Sequence, residues 1–131
     1  MLPSRPMSVD GGEPVVYCLT RDRELAEAIE QALVGALAFF YNDAARLQQA
    51  IMLRLPTVVV VDTGAVRREF GDAGLGPVVH FTRERAPAAR VALRPARDAD
   101  WLASAEAGEG VDLLPANPAA CAVAVVALLP A

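Results

Sequence analysis

Thr57-Val58-Val59-Val60-Val61-Asp62 is the stretch on which the fold turns. Four consecutive valines are β-branched and carry no polar alternation. Such a run suits a central parallel strand buried on both faces. Pro56 stops whatever helix comes before it. Asp62 closes the run and is followed by Thr63 and Gly64. A carboxylate just past the C-terminal end of a central parallel strand lies where α/β folds place their sites.

Working outward, residues 15–20 form a second run of strand formers. Asp22 offers a helix N-cap, and Leu25, Ala28, Ile29, Ala32 and Leu33 follow at helical spacing, with Gly35 as the stop. Residues 37–41 read as a strand. Asn42 and Asp43 can cap a helix over 44–54, signalled by Leu47, Ile51 and Leu55 at four-residue steps. Beyond Asp62, the glycines at 64, 71, 74 and 76 and Pro77 point to an irregular connection over 64–77, with one helical turn at 66–70. Residues 78–85 have the composition of a strand, but their place in the alternation favours a helix. A strand at 90–95 comes next, then a helix capped by Asp98 or Asp100 through Trp101, Leu102 and Ala105. A strand at 111–114 follows. Asn117 caps a final helix over 119–129, with Pro118 at its first position. Strand and helix alternate five times, so the fold class is α/β: a three-layer α/β/α sandwich around a five-stranded parallel sheet. Residues 1–13, with two prolines and two glycines, read as a flexible leader, and 14–131 as one domain.

Composition narrows the function. The 131 residues suit a single domain, with 54 % apolar and 21 % charged side chains and a net charge of -4. An acidic balance argues against nucleic acid as the main partner. The longest apolar run, residues 119–129, is far short of the ~20 residues of a membrane span, and no signal peptide is evident. The expectation is a cytoplasmic protein without a membrane span. All twelve basic residues are arginine, which removes any mechanism that needs a lysine ammonium. Cys18 and Cys121 lie in apolar stretches and read as buried reduced thiols. With His80 alone beside them, they do not make an ordinary zinc site. His80 has no nucleophile in a recognisable motif near it. The glycines follow neither dinucleotide-binding nor phosphate-loop spacing. No cofactor is expected.

In this order and spacing, three stretches resemble the receiver domain of bacterial response regulators, over roughly residues 14–129. Residues 57–62 look like the third strand with its phospho-accepting aspartate. Residues 86–93 look like the approach to the fourth strand. Residues 110–115, with Asn117-Pro118, look like the fifth strand and the start of the last helix. The resemblance implies receiver (flavodoxin-like) topology. It also implies a chemistry in which the aspartate takes a phosphoryl group shielded by Mg2+, which needs further acidic oxygens. In the family those acids follow the first strand, a hydroxyl follows the fourth, and a lysine follows the fifth.

The sequence departs at each of these places. The acidic pair falls at Thr20 and Arg21, with Asp22 better explained as a helix cap. The hydroxyl falls at or beside Arg94, and the lysine at Pro115 or Ala116. Asp62 alone remains as the phospho-acceptor equivalent. Either Arg21 or Arg94 pairs with Asp62 through charge-assisted hydrogen bonds, or both arginines face solvent and Asp62 merely caps a turn.

These departures imply an atypical, pseudo-receiver module of the kind that stands at the N-terminus of larger proteins, pilus-localisation ATPases among them. Such a module acts in signal transduction or protein localisation through protein contacts and is no enzyme. The alternative is a divergent receiver that still phosphorylates Asp62. A small α/β enzyme or ligand-binding domain is a third reading without an assembled nucleophile, base or cofactor motif. The last helix is apolar almost all round, so a partner surface or homodimer contact is expected at Val123, Val126 and Leu129. An output domain could follow in a longer parent chain.

Overall fold

A computed structural model describes residues 13–71, 74–95 and 110–130. Five strands, β1 (Val15–Leu19), β2 (Leu37–Tyr41), β3 (Val58–Asp62), β4 (Arg90–Arg94) and β5 (Val111–Leu113), form one parallel sheet in the order β2-β1-β3-β4-β5. The described helices are α1 (Arg23–Ala32), α2 (Ala44–Leu53), α3 (Thr63–Phe70), α4 (Leu75–Arg85) and α5 (Pro118–Ala127).

The valine run lies at the centre of the sheet, as its composition requires. All four valines of β3 are fully buried, each worth roughly 1.5–3 kcal/mol of apolar transfer. Their side chains alternate between two cores. Val59 and Val61 join Tyr17 and Leu19 beneath α2, α3 and α4. Val58 and Val60 join Val16, Cys18 and Ala92 beneath α1 and α5. The two faces are thus covered by different helices, and the sheet is buried on both sides.

The helices at 23–32 and 44–53 follow the sequence pattern. Leu25 and Ile29 of α1, and Ala44, Leu47 and Ile51 of α2, are the buried stripes. Asp22 caps α1 by accepting from the amides of Glu24 and Leu25, and Asp43 caps α2 by accepting from Arg46. Residues 75–85 are helical. Val78, Val79 and Thr82 are buried, and the Thr82 hydroxyl donates to the Val78 carbonyl, so burial overrides the strand propensity of Val-Val-His-Phe-Thr.

One expectation fails. Residues 63–70 are a two-turn helix, not an irregular connection with a single turn. Asp62 supplies the N-cap, Thr63, Ala65 and Val66 are buried, and Gly71 ends the helix at φ 79°. Glu69 of α3 accepts from the Ala44 amide at 2.9 Å, which ties this helix to the start of α2. Pro77 sits in the first turn of α4, where its missing N–H breaks no intrahelical bond. Smaller differences are confined to ends: α5 stops at Ala127 rather than 129, and β5 at Leu113 rather than 114. The helix expected through Trp101 and Leu102 lies outside the described residues, as do residues 1–12 of the expected leader.

Candidate functional site

The site is built at the C-terminal ends of β1, β3 and β4. Register does most of the assembly. Leu19 pairs with Val61 and Asp62 with Arg94, so Thr20, Asp62 and Arg94 emerge side by side. All three are buried; Asp62 is 4 % exposed and Arg94 8 %.

Both carboxylate oxygens of Asp62 are occupied. Oδ1 accepts from the Gly64 amide at 3.2 Å, which caps α3. Oδ2 accepts from the Thr20 hydroxyl at 2.7 Å and from Nη1 of Arg94 at 3.2 Å. Thr20 Oγ1 in turn accepts from the Asp22 amide at 3.0 Å. This leaves the Asp62 carboxylate held on both sides by donors.

Arg94 is the hub. Nη1 also meets Asp22 Oδ2 at 3.1 Å, while Nε and Nη2 donate to the Ala116 carbonyl at 2.8 and 2.6 Å. One guanidinium therefore joins the β1–α1 turn, the end of β3 and the β5–α5 turn. A buried charge needs such a set of partners to offset its desolvation. Asp22 divides its oxygens: Oδ1 caps α1 and Oδ2 faces Arg94.

Sequence reasoning set Arg21 and Arg94 side by side as partners for Asp62. The structure brings Arg94 to Asp62, while Arg21 turns aside and donates to the Asn42 carbonyl at 3.3 Å. The alternative in which both arginines face solvent does not hold, although Asp62 does cap α3 while it pairs. Pro115 is exposed, and its neighbour Ala116 contributes the polar group instead, through its carbonyl. Two contributors had no side-chain signature to read: the Gly64 amide and the Ala116 carbonyl are backbone groups, aimed only by the fold.

Beside Arg94 and Asp62 opens a cleft of about 350 Å³, flanked by Arg21, Arg68 and the first turn of α3. The carboxylates lining it among the described residues are Asp22 and Asp62. Among the described residues, no group of three or more His, Cys, Asp or Glu side chains is placed to hold a metal ion. Beneath the site, burial pushes the Cys18 thiol well above its usual range, and the Asp62 carboxylate adds to the rise. Burial likewise raises Cys121 to about 11. Both thiols stay protonated at neutral pH and are poor nucleophiles. His80 is on the surface of α4 beside Glu84, away from the site.

Solved structures with the same architecture include a response regulator from Thermotoga maritima. It has a TM-score of 0.67 at 19 % identity, covering 88 % of this chain and 97 % of that one. The chain has the receiver fold. Two Burkholderia proteins share it. One, described as a pilus assembly protein (CpaE) from B. thailandensis E264, has a TM-score of 0.64 at 20 % identity over 88 % of this chain and 97 % of its own. The other, described as pilus assembly-related and from B. pseudomallei K96243, has a TM-score of 0.65 at 19 % identity over 89 % and 90 %. No family model matches the sequence, and neither does any curated protein. The likeness is one of fold, and in this receiver-fold chain Asp62 occupies the end of the central strand. No helix among the described residues is long and apolar enough to cross a membrane.

Proposed function

We propose that this receiver-fold chain is a pseudo-receiver: a signalling or protein-localisation module that acts through protein contacts without phosphorylation. The observation that carries the reading is the engagement of Asp62. Its nucleophilic oxygens accept from Thr20, Gly64 and Arg94. A carboxylate that attacks phosphorus gives up stabilisation from the donors around it and needs a divalent ion beside it to shield the phosphoryl charge. Here a guanidinium holds the position beside Asp62 and Asp22, and like charge repels an incoming cation. The module has no catalysis of its own in this reading and works in the cytoplasm.

The contact surface we assign is the outer side of α5 with the adjoining strand edge. Cys121, Ala122 and Val125 face the core, while Val123 is 69 % exposed, Val126 39 % and Leu113 61 %. Leu129 packs partly against the core and belongs to the margin of that surface. The occupant is a protein partner or a second copy, and an output domain in a longer parent chain would be placed next to it.

A second reading, a divergent receiver phosphorylated on Asp62, draws on one observation: the cleft next to Asp62 is open and has room for a phosphoryl group. Titration with Mg2+ while following the amide resonances of Thr20, Gly64 and Ala65 separates the two. The pseudo-receiver shows no saturable shift. Saturation at millimolar Mg2+ favours the second reading.

A further inference from the structure

The Arg94 guanidinium reaches further than the acid it neutralises. Nη1 serves Asp62 and Asp22, while Nε and Nη2 converge on a single backbone oxygen, the Ala116 carbonyl, at 2.8 and 2.6 Å. Ala116 belongs to the turn between β5 and α5. The next residue, Asn117, caps α5 by accepting from the Ala120 amide, and its carbonyl accepts from Cys121. Just before the turn, the Leu114 amide donates to Leu93, the neighbour of Arg94 in β4.

We propose that Arg94 is a fixed strap between the Asp62 pocket and the start of α5, and that this strap sets the orientation of the α5 surface in place of any chemical switch. The geometry supplies the reason. A neutral amide–carbonyl bond is short and local, but a guanidinium is planar and rigid and carries five donors. Its two ends cannot move independently. If Asp62 and Asp22 hold Nη1, then Nε and Nη2 have a fixed position, and the carbonyl that accepts from both is fixed with them. The bond pair is charge-assisted and part-buried, anchored on a guanidinium that is itself buried, so it outlasts an ordinary surface contact. A shift of the turn by one bond length would leave a buried guanidinium partly unsatisfied, which is costly. The first turn of α5, and with it Val123 and Val126, is thereby held to one position relative to the sheet.

The strap deepens the pseudo-receiver reading by naming what holds the contact surface, yet it can be tested without any phosphodonor or Mg2+. The experiment is amide hydrogen exchange on the full chain and on Arg94→Lys and Arg94→Met. The reporting amides are Leu114, Ala120 and Cys121, with Val59 and Val60 of β3 as internal reference. A lysine ammonium reaches the carboxylates or the carbonyl but cannot span both, and methionine reaches neither as a donor. The strap predicts that Ala120 and Cys121 exchange faster in Arg94→Lys by roughly tenfold more than the β3 amides do. Arg94→Met enlarges that gap if it folds, and Arg94→Lys alone decides if it does not. Equal acceleration of turn and β3 amides marks a merely global loss of stability and overturns the proposal. No acceleration at the turn overturns it as well. Either result can occur with the pocket unphosphorylated, so the strap and the absence of phosphotransfer fail separately.

Discussion

Thr20, Asp62 and Arg94 meet because three neighbouring parallel strands end at the same level, and each side chain then takes the partner nearest to it. In the sequence, Arg21 and Arg94 are equally good cations for Asp62. Strand register separates them: Arg94 lies abreast of Asp62 on β4, whereas Arg21 is already past the end of β1 and bends towards Asn42. The identity of the acid was therefore legible, and the identity of its partner was not. Removing the cation should be severe. Arg94→Met leaves two carboxylates facing each other with an unserved Ala116 carbonyl, and thermal or urea unfolding should show a loss of about 3–5 kcal/mol. Thr20→Val removes one donor to Asp62 and one acceptor for the Asp22 amide. Its expected loss is smaller, roughly 1–2 kcal/mol by the same measurement.

Among the elements, those with a clean period were readable. β3 announced itself by four valines, and α1 and α2 by leucine and isoleucine at helical spacing with an aspartate before each. Ile51→Ala should cost roughly 2–5 kcal/mol in chemical denaturation, because the side chain is fully buried between α2 and the sheet. α3 was hidden for a physical reason. It is only eight residues long, opens with Thr-Gly and closes on Gly71, so its glycines resemble loop punctuation. What makes it a helix is tertiary. Asp62 caps it, Ala65 and Val66 enter the core, and Glu69 reaches Ala44. α5 was legible as a helix, yet its C-terminal end falls short at Ala127, where Leu128 and Leu129 pack partly against the core. Asn117→Ala should cost roughly 1 kcal/mol of stability through loss of the cap on Ala120.

For the molecule as a whole, two buried thiols link stability to alkaline pH. Burial raises Cys18 and Cys121 above the ordinary thiol value of 9.0, and Cys121 to about 11. In the folded state they hold their protons in a range where the unfolded chain has lost them. The unfolded state then binds fewer protons, so stability is full below pH 9 and declines from there towards pH 11. Denaturation midpoints at a series of pH values check this. The slope should flatten in Cys18→Ala and Cys121→Ala, and a curve that is identical in both variants and the parent would refute the linkage.

In the proposed function, a receiver fold keeps its central-strand aspartate as a structural anion. The alternation of strand and helix, and the lack of lysine, point to that reading in the sequence. The fold supplied the arginine that completes it. Incubation with a small-molecule phosphodonor and Mg2+, followed by intact-mass measurement alongside Asp62→Asn, tests it most directly. Both proteins are expected to keep their starting mass. A phosphoryl adduct on the parent chain that is absent from Asp62→Asn would contradict it.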